Sequence, residues 1–207
     1  MTEIIPAAEA GLGEPGRPMA RHPALRLHRP GSPAAGLGLA VGYLMTKPAF
    51  AALKFGAWSR VLVGQINRGH YHLVLADRGR VVGFLGWALT DEANAEAWVR
   101  GGGTFSDAGA GAGDCVVFNA WAADDGAVNR FVLHAAREVM RGRRMVYFKR
   151  HYPDGGTRPA RMGVNAFVAS HIARATGRAM APASIPTEQA PGPIRRAREG
   201  EGADAAP

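Results

Sequence analysis

The chain has 207 residues, 47% of them hydrophobic, and a formal net charge of +8. That is the material of one ordinary domain with one core, and the positive surplus points to an acidic partner such as an acidic protein, a phosphate group, anionic lipid or nucleic acid. One cysteine, Cys115, excludes an intramolecular disulfide framework, and no apolar run reaches the roughly 18 residues of a membrane span.

Residues 1–36 are rich in Ala, Gly and Pro, and residues 178–207 repeat that bias with Arg and Glu mixed in. Segments that bury so little apolar surface do not offset the entropy of ordering them, so both ends are expected to be flexible and the folded unit to run over 37–177. The stretch from Ala34 to Met45, with Ala49-Phe-Ala51 behind it, imitates a signal peptide. Its long leader argues against that role, and a cytoplasmic location is expected.

In the folded unit, residues 37–53 predict a short helix interrupted at Thr46-Lys-Pro48, because proline sits at a helix start or a break. Phe55, Trp58, Leu62 and Ile66 recur at helical spacing, and Gly69 closes that second helix. His70 to Leu75, the turn Asp77-Arg-Gly79, and Val81 to Leu89 read as a β-hairpin. A short helix capped by Thr90 or Asp91 follows. Residues 100–113, dominated by Gly and Ala, predict a long loop that could serve as a lid or docking element. Asp114 to Ala122 is the next strand; Val128, Phe131, Val132, Ala135, Val139 and Met140 mark an amphipathic helix; Arg144 to Lys149 is a strand; Val164 to Ala175 predicts a terminal helix. The fold class expected is α/β (α+β), a mixed, mostly antiparallel sheet flanked by helices.

Charge is concentrated late in the chain. Arg130, Arg137, Arg141, Arg143, Arg144, Lys149, Arg150, Arg158 and Arg161 face only Glu138 and Asp154, a net +7. The first seven of these are the candidate partner-binding residues. Tyr147, Phe148 and Tyr152 among these cations also imitate a nucleic-acid surface, a weaker reading because strands ordinarily contain aromatics. No His, Cys or Asp spacing resembles a zinc site, so no metal is expected.

Two motifs carry a family resemblance: Val81-Val-Gly-Phe-Leu-Gly-Trp-Ala-Leu-Thr-Asp-Glu92 and Gly113-Asp-Cys-Val-Val-Phe-Asn-Ala-Trp-Ala122. They resemble the RTX toxin-activating lysine acyltransferases, which move a fatty acyl group from acyl carrier protein to lysines of a toxin. The order of elements resembles that of the N-acetyltransferase (GNAT) superfamily without its first strand. Pro48, Trp87 and Asp114 match family motif positions. Phe50 stands where the resemblance places a catalytic histidine, and Asn119 where it places an aspartate. A phenyl ring cannot accept a proton, and a neutral amide cannot orient a histidine by charge, so the chain reads either as a degenerate acyltransferase or as one whose base has moved. His70 and His72 are the candidates for a moved base, since alternation puts both on one strand face.

In GNAT enzymes a glycine-rich turn between the fourth strand and the next helix holds the pyrophosphate of coenzyme A. Here that junction reads Ala122-Ala-Asp-Asp-Gly-Ala-Val128, and its acids disfavour phosphate. The resemblance then implies no bound cofactor, an acyl-acyl carrier protein as donor, and a lysine-bearing target protein as acceptor. A non-catalytic module for carrier protein or another acidic protein is the alternative, nucleic acid a further one, and a homodimer is compatible with all of them.

Overall fold

Local signals place the helices. In the computed structural model, which describes residues 24–101, 111–151, 156–165, 168–171 and 174, Ser32 caps α1 (Pro33–Leu44) and Pro33 occupies its first turn. Pro48 opens the short α2 (Pro48–Ala51) after the expected interruption. The stripe of α3 (Phe55–Arg68) buries Trp58, Leu62, Ile66 and, out of character, Gln65. Gly69 ends α3 at φ 67°, a left-handed conformation glycine adopts without a Cβ penalty.

The strands follow in the expected order. β2 (Tyr71–Leu75) turns at Asp77–Gly79 into β3 (Val81–Thr90). Asp91 caps α4 (Glu92–Val99), accepting from the Asn94 N–H at 2.8 Å. β4 (Cys115–Ala123) leads into α5 (Gly126–Met140), capped by Asp125, and β5 (Met145–His151) returns.

Two strands were not expected. β1 (Arg26–His28) pairs antiparallel with β2, and with the first turn of α1 it lies inside the segment assigned as flexible. The ordered fold therefore begins before residue 37. Arg26-Leu-His28 has one apolar residue; its order comes from backbone pairing with β2, which composition does not reveal. At the other end β6 (Thr157–Gly163) pairs with β5, although its Pro159 and exposed side chains read as coil. A sheet edge accommodates that proline because an edge residue needs no donor on its outer side. The helix expected over 164–175 is seen at 168–171, and most of the 100–113 loop and all of 178–207 lie outside the described residues.

The six strands form one sheet in the order β1-β2-β3-β4-β5-β6, antiparallel throughout except for the parallel pair β4–β5, which α5 connects. This is the α/β class expected. α5 covers one face, packing Val128, Val132 and Ala135 on Leu85, Trp87, Val116 and Phe118. The opposite face carries α1 and α3 over Leu73, Phe84 and Ala120, and farther along α4 over Ala88, Val117 and Tyr147. Among the described residues no helix is long and apolar enough to cross a membrane.

Candidate functional site

The site lies where β4 changes character. Against β3 the register runs from Gly83↔Ala123 to Gly86↔Ala120 and then jumps to Trp87↔Phe118, leaving Asn119 as the extra residue of a β-bulge. Against β5 the parallel pairing covers Cys115↔Met145 to Phe118↔Phe148 and stops, although β4 continues to Ala123 and β5 to His151. The two parallel strands therefore part at Asn119 and Lys149. A crevice at the carboxyl ends of parallel strands is where open α/β sheets take ligands, and among the described residues no strand pairs with the β4 edge beyond Phe118 on the β5 side.

Polar side chains collect beside that opening. Gln65 of α3, fully buried, donates through Nε2 to Asn119 Oδ1. Gly86 makes room for this, since a Cβ there would meet Gln65 Nε2 at 2.5 Å. The Gln65 Oε1 is buried without a hydrogen-bond partner among the described residues. On the same face, Lys149 sets its Nζ 4.5 Å from the centre of the Trp98 ring of α4. Burial holds the Lys149 amine below the usual lysine range. An amide pair and a partly buried amine thus stand on one face of the sheet, with Gln65 and Trp98 both missed at the level of sequence. Gln65 had a visible signal, a polar residue on the apolar stripe of α3; Trp98 had none.

Phe50 lies in α2 and packs against the α1–α3 cluster that includes Ala120 and Ala122, on the face to which Asn119 points. Pro48 starts α2. The substituted positions thus share a face of the sheet, and Asn119 is held by an amide rather than an imidazole.

His70 and His72 are on the other side of the sheet. Their rings flank Trp87 at 5.8 and 5.1 Å, and Trp87 belongs to the α5 core. The Arg29 guanidinium approaches His72 Nε2 at 3.4 Å and donates to the Tyr71 carbonyl at 2.7 Å. A guanidinium only donates, so His72 Nε2 accepts and the ring is neutral. Burial, with Arg29 second, pushes the His72 pKa down to about 3. Such an imidazole is a weak base, and it does not face Asn119.

Asp114 closes the opposite end of β4. Its carboxylate receives Arg144 Nε at 2.7 Å, Arg144 Nη2 reaches Glu92 at 2.9 Å, and Arg143 Nη1 donates to the Gly113 carbonyl at 2.8 Å. The Arg144 hydrogen bond holds the Asp114 carboxyl below the usual carboxylate range. Burial, with Asp114 second, pushes the Cys115 thiol up to about 11, so it is no thiolate near neutrality.

The candidate partner-binding cations do not form one surface. Arg130 is exposed on α5, Arg137 sits 3.4 Å from His134, and Arg141 pairs with Glu138 at 2.8 Å, all on the α5 side. Arg143 and Arg144 are committed to the β4 end, Arg150 lies over the Phe148 ring, and Lys149 points to the α4 side. At the β4–α5 junction, Asp125 fills the helix N-terminus with its own carboxylate, accepting from the Val128 N–H at 2.8 Å. Asp124 is gripped by Lys47 at 2.6 Å and Arg80 at 3.0 Å, beside Tyr43 in a groove of about 670 Å³. Among the described residues no group of His, Cys, Asp and Glu is arranged to hold a metal ion.

No family model and no curated protein matches the chain. Among solved structures, it is similar to a GNAT-like decarboxylase, GphF, in complex with isobutyryl-CoA, at 16% identity over 63% of this chain and 67% of that one, with a TM-score of 0.41. A likeness at that score leaves the reading of this chain to its own residues.

Proposed function

We propose that this chain is an acyltransferase-type protein that holds an acyl thioester in the crevice between β4 and β5, and that transfer to an outside acceptor is slow. The parting of the strands at Asn119 and Lys149 carries this reading. Strand edges whose ladder has stopped suit the amide-bearing arm on which acyl thioesters are carried, through main-chain hydrogen bonds of the β-augmentation kind. Gln65 holds the Asn119 amide by its oxygen, and the Asn119 N–H groups are donors of the type that stabilises a developing oxyanion. The missing element, among the described residues, is a base on the crevice face, since His70 too lies against Trp87 on the other side. Phe50 offers no proton acceptor, and His72 is neutral, weakly basic and on the opposite face. General acid–base catalysis supplies about 10²- to 10⁴-fold in rate, and that is the expected shortfall.

The finer reading follows from the motif resemblance: the donor is an acyl carrier protein in the cytoplasm and the acceptor a lysine-bearing protein. The junction supports a carrier protein over free coenzyme A, because Asp124 and Asp125 occupy the place where a pyrophosphate would need N–H groups and positive charge.

The test is binding and transfer with acyl-loaded and unloaded carrier protein, using wild type and the double variant Phe50→His/Asn119→Asp. Tighter binding of the loaded form, slow transfer by wild type and a gain in the double variant are expected. Equal binding of both forms would overturn the thioester site, and tighter binding to DNA than to carrier protein would favour a nucleic-acid role.

A further inference from the structure

Lys149 has a position that the proposed function does not use. It is the first residue of β5 beyond the last β4–β5 pair, and in register it would stand beside Asn119 had the strands stayed together. Its amine is held on the Trp98 ring of α4, on the face that carries Gln65 and Asn119. The chain contains only three lysines, Lys47, Lys54 and Lys149, in a composition that otherwise uses arginine. Lys47 is locked to Asp124 at 2.6 Å, and Lys54 is an exposed residue at the start of α3.

We propose that Lys149 is an acyl acceptor within this chain, its ε-amine taking the acyl group from a thioester held in the β4–β5 crevice to form an amide. The inference rests on the thioester-binding reading above. The neutral amine places its lone pair on the thioester carbonyl carbon, a C–N bond forms, the C–S bond breaks, and the donor leaves as a thiolate. The proton lost by the nitrogen passes to that thiolate, giving a thiol, so no further reactant is needed. Arginine cannot do this, since its guanidinium stays protonated. The indole face favours the ammonium, but burial opposes it and prevails, which raises the share of reactive amine near neutrality. Asn119, the register neighbour of Lys149, is on the same face and is the amide this attack would call on to polarise the carbonyl. Acylation would convert a cation at the mouth of the crevice into a neutral group with an apolar chain. A protein without a base for an outside acceptor would then retain one amine of its own.

The experiment incubates the full chain with a short-chain acyl thioester of N-acetylcysteamine and follows intact mass over pH 6 to 9, with peptide mapping of Lys47, Lys54 and Lys149. Binding is read separately on wild type with the matching thioether, which cannot transfer. The expected result is one dominant adduct at Lys149, forming at least about tenfold faster than at Lys54, because only Lys149 stands in register beside a thioester held at the β4–β5 parting, and proximity of this kind is worth far more than tenfold. Lys149→Arg should lose that adduct and leave the slow reaction at Lys54 as it was. Thioether binding with equal acylation at Lys54 and Lys149 would overturn this inference alone. Absence of thioether binding would overturn the thioester site and this inference together.

Discussion

The two halves of β4 are built for different purposes. Cys115 to Phe118 are paired on both edges, by β3 and by β5, and Cys115, Val116 and Val117 are fully buried. Asn119 to Ala123 are paired, among the described residues, with β3 alone, begin with a bulge and bring a polar side chain to the face. One strand thus serves as core at its amino end and as the wall of a site at its carboxyl end. The boundary is the single residue at which the register shifts. Where a ladder stops, the backbone keeps its capacity to bond, and that capacity is what a ligand can use.

The largest expected effect comes from disturbing the closed half. Gly113 has φ 136°, and a Cβ there would collide with the Thr90 backbone carbonyl at the start of the β3–β4 ladder. Gly113→Ala is expected to cost about 2–4 kcal/mol, since both strained backbone and a clash are involved. Thermal melting should show it as a clear fall in Tm, and an unchanged Tm would mean the end of β4 is not held as described.

Disturbing the open half should cost less stability and more binding. Asn119→Ala leaves the buried Gln65 amide without its partner, at about 1–3 kcal/mol, whereas removing both polar groups with Gln65→Leu/Asn119→Ala should cost less than the two single changes summed. A double-mutant cycle by denaturant unfolding checks the coupling, and strict additivity would refute it. Gly86→Ala, which pushes on the far end of the Gln65 side chain, should weaken thioester binding more than it lowers Tm.

The face opposite the crevice should announce itself in pH dependence. The folded state lowers the His72 pKa from 6.5 to about 3, so the unfolded chain takes up a proton that the folded one refuses. Stability contributed by this group is intact above pH 6.5 and is lost as pH falls toward 3, at up to about 1.4 kcal/mol per unit. Unfolding midpoints measured between pH 7 and 4 should fall less steeply for His72→Gln. Identical slopes would contradict the neutral, buried imidazole.

The smallest effect belongs to the surface. Arg144 pairs with Asp114 and Glu92, and all three are about half exposed. Glu92→Gln is expected to leave Tm nearly unchanged, and any small loss should fade in high salt. A larger, salt-insensitive loss would show that this pairing does more than tie off the strand end.

Much of this architecture is legible in the sequence where the signal is local. The stripes of α3 and α5, the Gly69 stop, the Asp91 cap and the hairpin turn are all written within a few neighbouring residues. β1 and β6 are not, because Arg26-Leu-His28 and Thr157–Gly163 owe their order to partner strands. The alternation of His70 and His72 correctly put both on one face, against Trp87. It did not reveal that Asn119 points to the other face, because that depends on how β2, β3 and β4 are registered. The bulge at Asn119 has the same origin: it is a mismatch between two strands, and neither strand's sequence contains it alone.

The central claim is that the parting of β4 from β5 is a binding site for an acyl thioester. The most direct measurement is residue-resolved amide hydrogen exchange with and without the non-transferring thioether analogue. The account predicts added protection at Asn119 to Trp121 and Lys149, with Cys115 to Phe118 unchanged because their ladders are already complete. Protection confined to the groove around Lys47 and Arg80, or none along β4 and β5, would contradict it.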